Sequence, residues 1–403
     1  MSIEWEKARA SAYEAGRAAA GPVQQVPLAT ADGRTLAEPL LALTDLPAFP
    51  TASIDGWAVR GPAPWRVTGR ILAGSPAAPL TEDGTCAEIA TGAMVPAGAE
   101  ALIRIEDSDR DADGLVTGAP RSTPEWRLPG EEAHRGEELL PAGTAIDPAV
   151  VGLAATCGYE TIAARPQPRA ALLVFGDELL TTGVPGAGRV RDSLGPQVPG
   201  WLRRYGATVD PADVAGPVQD TLEAHVAAIR QALEVADLVC TTGGTMHGPV
   251  DHLHPALAEL GADYVVNTVG VRPGYPMLLA RIRLSDGRTR FLAGLPGNPQ
   301  SAVIGLITLV APLLAGLQGR ELPALPQVTT VAAVRGRGQD THLALAALDR
   351  DGRRATPVGH VGSSMLRGLT NAHGFIVVRP DTKAEAGDVV PFLPLPLYAG
   401  ERS

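Results

Sequence analysis

Three strand-length apolar runs, each ending abruptly in a loop containing glycine, constrain this chain more than any other feature. Asp237-Leu238-Val239-Cys240 leads into Thr241-Thr242-Gly243-Gly244-Thr245-Met246-His247-Gly248-Pro249-Val250-Asp251, and Thr289-Arg290-Phe291-Leu292-Ala293 leads into Gly294-Leu295-Pro296-Gly297-Asn298-Pro299. Ala170-Ala171-Leu172-Leu173-Val174-Phe175 ends the same way at Gly176-Asp177-Glu178. Continuous apolar runs of this length suit strands buried on both faces, which means parallel strands covered by helices. At the carboxyl ends of such strands, small residues let backbone N–H groups approach a ligand, and the following helix contributes its positive end. Phosphate or pyrophosphate is the ligand class this predicts.

The intervening periodicities agree. Asp220-Thr221-Leu222-Glu223 has capping-box spacing, with Leu222, Val226, Ile229 and Leu233 following on one helical face. Helices are expected over 254–260 and 299–317, the second closed by Gly319, and further strands over 264–271 and 291–295. Residues 166–318 are therefore predicted to form one doubly wound α/β domain. An amphipathic helix over 5–20 precedes Gly21-Pro22 and should pack on something distant in sequence. From about 26 to 129 the texture changes to short apolar runs between Pro, Gly and Asp, such as Trp65-Arg66-Val67-Thr68-Gly69-Arg70-Ile71-Leu72, which predicts a β-rich module. A short helix opens at Pro148, and after Pro323 and Pro326 alternating runs over 328–334, 343–348 and 375–379 predict a small C-terminal β module.

At 403 residues, 45% hydrophobic and 19% charged, the chain can bury ordinary cores in two to four domains. The net charge of −10 argues against nucleic acid as a partner, while leaving room for a local basic cleft. Cys86, Cys157 and Cys240 have no Cys-x-x-Cys pairing, so neither a disulfide framework nor a zinc site is indicated. No stretch of 18 uninterrupted apolar residues occurs, and Met1-Ser2-Ile3-Glu4-Trp5 lacks a basic lead into an apolar segment, so the expectation is a cytoplasmic protein without a membrane partner. Walker, dinucleotide-fingerprint and nucleophile-elbow motifs are absent, which weakens ATPase, dehydrogenase and hydrolase readings.

Asp177, Asp192 and Asp251 all fall at predicted strand ends or in the loops following them, the rim where open α/β sheets place ligands. Together they suit a hard cation such as Mg²⁺, which takes one or two carboxylates plus water and phosphate oxygens. The same acids would equally serve as helix caps. Arg272 could fork onto phosphate or an oxyanion, and Tyr275 could donate its hydroxyl or stack on a planar ring; the intervening Pro273-Gly274 is a tight turn either way. His247 is open to a metal, a phosphate or plain solvent, and His252 and His254 read as surface residues.

The order of motifs resembles the molybdopterin molybdenumtransferases, the MoeA-like family that includes the gephyrin C-terminal region. Ser53-Ile54-Asp55-Gly56-Trp57-Ala58-Val59-Arg60 looks like that family's Ser-Ala-Met-Asp-Gly-Tyr-Ala, and Thr91-Gly92-Ala93-Met94-Val95-Pro96-Ala97-Gly98-Ala99 like its Thr-Gly-x-x-x-Pro-x-Gly-Ala. Gly130-Glu131-Glu132, Gly176-Asp177-Glu178-Leu179, Arg191-Asp192-Ser193, Thr242-Gly243-Gly244 with Asp251, Arg272-Pro273-Gly274 and Gly294-Leu295-Pro296-Gly297-Asn298-Pro299-Gln300-Ser301-Ala302 follow in family order.

The resemblance implies a multidomain α/β architecture: a composite N-terminal domain from 1–45 with 127–165, a β-rich domain over 46–126, a doubly wound molybdopterin-binding domain over 166–318 and a barrel-like C-terminal β domain over 319–403. It implies insertion of molybdate into adenylylated molybdopterin with release of AMP, assisted by Mg²⁺. Its partners would be a pterin nucleotide, an oxyanion, a second copy of the chain and other proteins of molybdenum cofactor synthesis. Asp55, Thr91, Glu132, Asp192 and Asp251 would be catalytic, the first three reaching the site from the second copy, with Thr91 acting through its hydroxyl and the Gly92 amide. Glu178, Asp192 and Asp251 would hold metal. Gly176, Glu178, Ser193, Thr242, Gly243, Gly244, His247, Arg272, Gly274, Tyr275, Pro296, Gly297, Asn298 and Ser301 would bind the substrate.

The chain departs from the family pattern at Glu132, Leu194, Met246, His247 and Tyr275, where Asp, Asn, Ser-Val and Lys are usual. Two alternatives follow: a non-catalytic pterin-binding scaffold or sensor, and a nucleotide-hydrolysing relative sharing only the α/β domain. The motifs at 53–60 and 91–99 lie outside that domain and count against the second.

Overall fold

The computed structural model describes residues 2–246 and 251–397. The chain divides into one unit of Met1–Gln24, Gly33–Ala37 and Ala164–Ser403, and another of Gln25–Asp32 and Glu38–Ala163.

The first unit holds the predicted α/β domain. Its six-stranded sheet runs in the order Val214–Val218, Ala170–Phe175, Leu238–Thr242, Thr289–Leu295, Leu278–Arg283, Asp263–Asn267. The first four strands are parallel, with Leu172 opposite Cys240 and Cys240 opposite Ala293, so the three apolar runs lie side by side. Alternate residues feed separate cores. Leu172, Val174, Cys240 and Ala293 enter one, and Leu173, Phe175, Val239 and Leu292 the other, which is why the runs do not alternate with polar residues. Helices Leu222–Val235 and Leu253–Glu259 cover the second core. Thr221 caps the former, accepting from Ala224 N at 3.2 Å, while Asp220 instead accepts from Asp177 N at 3.2 Å.

Three elements differ from expectation. The strand expected over 264–271 is two, because Thr268 adopts φ 62° and sends Val269–Arg272 into another sheet. Leu278–Arg283 runs antiparallel to both of its neighbours, Thr289–Leu295 and Asp263–Asn267, so the sheet is mixed rather than wholly parallel. Helix Leu194–Arg204, with Pro199 inside it, forms where no element was expected from the sequence; Leu194, Val198 and Leu202 anchor it in the core.

Residues Pro299–Leu317 form the one stretch among the described residues long and apolar enough to cross a membrane, and it is wholly buried as a core helix of this unit. Helix Trp5–Ala18 packs on its C-terminal half. A Cβ on Gly16 would sit 2.2 Å from Leu313 O, and one on Gly316 would sit 2.3 Å from Tyr13 O, so paired glycines permit the crossing. Trp5 Nε1 donates to Thr308 Oγ1 at 3.0 Å, and buried Arg9 donates to the Ile307 and Pro323 carbonyls.

The C-terminal strands close a ring: Thr341–Leu348, Arg354–Pro357, Gln327–Thr330, Val389–Pro394, Gly374–Val378, and back to the first. Val269–Arg272 joins this sheet through Thr341–Leu348 and pairs on its other side with Ile3–Glu4.

The second unit centres on a six-stranded sheet ordered Ser108–Arg110, Leu115–Gly118, Trp65–Ile71, Thr85–Ile89, Gly56–Arg60, Ala101–Arg104. Ala58 and Ala87 face one core, and Trp57, Val59 and Cys86 the other. Helix Pro148–Cys157 starts at its Pro as expected, capped by Asp147 Oδ1 on Val150 N at 2.9 Å. All three cysteines are free and buried.

Candidate functional site

Because Leu238–Thr242 and Thr289–Leu295 are adjacent and parallel, their glycine loops emerge together. A Cβ on Gly297 would lie 3.6 Å from Gly243 Cα. Gly243 and Gly244 both have positive φ, 84° and 67°, the left-handed turn that only glycine adopts without strain. The Gly243 amide is committed to Leu295 O at 3.0 Å and so is not among the donors this loop can offer a ligand. Among the described residues the Gly244 and Gly297 amides have no protein acceptor.

These loops wall a pocket of about 690 Å³ with Glu178, Asp192, Ser193, Thr242, Asp251, Pro296 and Asn298. Glu178 folds back against Gly176, where a Cβ would lie 2.7 Å from the carboxylate. Asp192 caps helix Leu194–Arg204: Oδ1 accepts from Leu194 N at 2.9 Å and Gly195 N at 3.0 Å. Leu194 supplies core packing rather than a polar group, and exposed Met246 lines the pocket. His247 lies outside the described residues. Among the described residues no three His, Cys, Asp or Glu side chains converge as a metal-binding group.

Arg272, Gly274, Tyr275 and Ser301 wall an adjoining pocket of about 860 Å³ that shares Pro276, Pro296 and Asn298 with the first. Arg272 thus stands in the adjoining pocket, apart from Glu178, Asp192 and Asp251. Its Nε donates to Asp340 Oδ2 at 2.7 Å, and its guanidinium lies 4.9 Å from the centre of the Tyr275 ring. The strand carrying it leaves the α/β sheet for the C-terminal barrel, and the pair follows from that.

Sequence reading missed the barrel's own contribution: Arg335, Arg337, Asp340, His342 and Ser363 line the larger pocket, Ser364 and Leu366 the smaller. The only local signal was the cationic Arg335-Gly336-Arg337 cluster. The larger pocket thus faces three guanidiniums with one carboxylate, Asp340. Among the described residues Arg335 and Arg337 have no carboxylate partner. Burial chiefly holds His342 below its ordinary imidazole value, and its Nδ1 meets Arg335 O at 2.7 Å.

In the second unit, Asp55 Oδ1 accepts from Thr91 N at 2.7 Å, joining two predicted residues. The Gly92 amide donates to Ala52 O at 2.8 Å, so the pairing of Thr91 hydroxyl with Gly92 amide as an oxyanion grip is corrected: that donor is committed to the fold. Glu132 is exposed, its backbone held by Leu46 O at 2.8 Å, and no hydrogen bond among the described residues links it to the Asp55–Thr91 pair.

The chain matches three family models: the MoeA N-terminal region, domains I and II, over residues 3–158; a probable molybdopterin binding domain over 171–316; and the MoeA C-terminal region, domain IV, over 327–395. They define a MoeA-type protein with a molybdopterin-binding α/β domain. A Pyrococcus horikosii molybdopterin biosynthesis MoeA structure shares the fold at 24% identity and TM-score 0.75, covering 98% of this chain and 99% of that one. A molybdopterin molybdenumtransferase of Staphylococcus aureus is 30% identical over 319 residues, 76% of this chain and 74% of the relative. One from Staphylococcus epidermidis is 28% identical over 375 residues, 89% of this chain and 88% of the relative. The chain belongs to the molybdopterin molybdenumtransferase family, a family of transferase enzymes.

Proposed function

We propose that this chain inserts molybdate into the dithiolene of adenylylated molybdopterin and releases AMP. One observation carries the reading: a pocket offering loop amides and carboxylates adjoins a pocket rich in guanidinium groups, which suits a phosphorylated ligand beside an oxyanion.

In this scheme the Gly244 and Gly297 amides bind phosphate oxygens, Arg335 and Arg337 hold the oxyanion, and the Tyr275 ring keeps Arg272 in place against Asp340. Glu178, Asp192 and Asp251 share one wall but do not form a closed cage. That arrangement fits Mg²⁺ held partly by water and substrate phosphate, as the ion commonly is. When bound there, Mg²⁺ would neutralise charge on the phosphate and ease departure of AMP. Asp192 also keeps helix Leu194–Arg204 in register with the pocket. The proposal extends to a cytoplasmic homodimer in which Asp55, Thr91 and Glu132 of one copy serve the other copy's pocket; light scattering that shows only monomer removes that part.

The deciding experiment mixes purified protein with adenylylated molybdopterin, molybdate and Mg²⁺, and follows AMP together with active cofactor. Molybdate-dependent AMP release that an Asp251→Ala protein lacks is the expected result. Binding of the pterin without any release would sink the transferase assignment in favour of a scaffold or sensor.

A further inference from the structure

Two of the acids lining the smaller pocket sit in separate loops, Glu178 after strand Ala170–Phe175 and Asp251 before helix Leu253–Glu259. Asp220, which does not line that pocket, ties both loops to one point. Its Oδ2 accepts from Asp177 N at 3.2 Å, one residue before Glu178. Its carbonyl meets His252 Nε2 at 3.1 Å, one residue after Asp251. A carbonyl only accepts, so His252 carries a proton on Nε2 and donates it.

Asp220 is itself held in place. Its Oδ1 lies 3.6 Å from Nε2 of His225, a fully buried ring with no hydrogen bond at either nitrogen. Phe175 stacks on that ring at 3.8 Å, and His252 stands nearly perpendicular to it, at 81° and 5.6 Å. The Asp220 side chain is only 17% exposed, and a carboxylate so far from water is kept where it is bonded. Thr221 Oγ1 already caps helix Leu222–Val235 on Ala224 N, so the bonding of Asp220 goes to the loops instead. Arg189 also holds the first loop, through the Asp177 and Leu179 carbonyls, but it is exposed and reaches no part of the second.

We propose that Asp220 is a positioning residue for the cation: by fastening the Glu178 loop and the Asp251 loop to one point, it fixes the relation in which the two carboxylates face the ion. Mg²⁺ demands near-ideal octahedral geometry at short distances, so slack between two carboxylates on separate loops costs affinity. The proposal deepens the reading of the smaller pocket as a Mg²⁺ site and rests on it.

The test is Mn²⁺ binding to the full chain, followed by loss of the unbound ion's electron paramagnetic resonance signal, which reads the site without turnover. Wild type is compared with Asp220→Ala, Asp220→Asn, His252→Phe and Asp251→Ala, each with its unfolding temperature and its molybdate affinity. Asp220→Ala cuts the amide tie and should weaken Mn²⁺ binding about 10-fold, within the range for outer-shell partners of a metal, and raise the Mg²⁺ needed for half-maximal AMP release by a similar factor. Asp220→Asn keeps an oxygen for Asp177 N and should recover most of that loss. His252→Phe cuts the second tie and should also weaken binding, while half-saturating molybdate stays within about two-fold of wild type in all three, a split that a general loosening of the fold would not produce. If Asp251→Ala weakens Mn²⁺ binding but Asp220→Ala and His252→Phe do not, or if they weaken molybdate binding to the same extent, the positioning proposal falls and the cation site stands. If wild type takes up no Mn²⁺, or Asp251→Ala takes it up as tightly as wild type, the cation reading falls and this proposal with it. Should Asp220→Ala not fold, His252→Phe carries the comparison, since it leaves the Asp220 carboxylate and the Thr221 cap in place.

Discussion

Changing Asp192 to asparagine separates the two tasks open to its carboxylate. The structural task is visible: Oδ1 accepts from Leu194 N at 2.9 Å and Gly195 N at 3.0 Å, and Oδ2 lies 3.2 Å from Gly195 N. Asparagine retains an oxygen for the two shorter bonds and loses only the longest. It also loses the charge at the start of helix Leu194–Arg204, a contribution of about 0.3–1 kcal/mol, while Asn and Asp cap almost equally well. The expected cost is about 1 kcal/mol, or roughly 2–4 °C for a unit of this size. Asp192→Ala removes every cap bond and should cost about 1–2 kcal/mol. The proposed cation role depends on the charge itself. Even outer-shell partners of a metal are typically worth about 10–100-fold, so both variants should lose roughly 100-fold or more in molybdate-dependent AMP release. Scanning calorimetry and AMP release on the same preparations decide the matter. An asparagine variant that unfolds near wild type and still turns over would make Asp192 a helix cap only, leaving Glu178 and Asp251 to hold the cation. One as unstable as Asp192→Ala would refute the capping argument.

Gly316→Ala would place a Cβ 2.3 Å from Tyr13 O and 2.6 Å from Arg17 N, both backbone atoms, so helix Trp5–Ala18 must move away. Overpacking of about 1–3 kcal/mol should outweigh the roughly 1 kcal/mol that alanine gains in a helix, lowering the urea midpoint; a midpoint at or above wild type would mean the crossing is looser than it looks. His225 is fully buried, stacked 3.8 Å from Phe175, with Nε2 3.6 Å from Asp220 Oδ1, and burial chiefly lowers its pKa while Asp220 opposes that. The unfolded chain therefore binds a proton at higher pH than the folded one, so this residue's contribution is present above the unfolded value near 6.5 and declines as pH falls through that value toward the lower folded one. Denaturant unfolding at several pH values should show His225→Phe losing less stability than wild type between pH 7 and 5, and parallel profiles would show that His225 does not titrate in that range.

What the sequence disclosed and what it hid have a common physical cause. The runs at 170–175 and 289–295 were legible because a strand buried on both faces needs an unbroken apolar string, and glycine loops after two adjacent parallel strands must emerge together. Helix Leu194–Arg204 was hidden because its formation is decided by tertiary burial of Leu194, Val198 and Leu202, which overrides the local cost of Pro199. Thr268, whose left-handed φ divides one apolar run between two sheets, likewise carries no local signature. The same asymmetry governs the site. The paired glycines follow the strand Leu238–Thr242 directly, and Asp192 and Asp251 stand just before helices Leu194–Arg204 and Leu253–Glu259, so they declare themselves by position. Arg335, Arg337 and Ser363 reach the pocket only because Val269–Arg272 leaves one sheet to pair with Thr341–Leu348 in another, a register no local pattern encodes. A pocket wall built by such a crossover is legible only once the two sheets stand side by side.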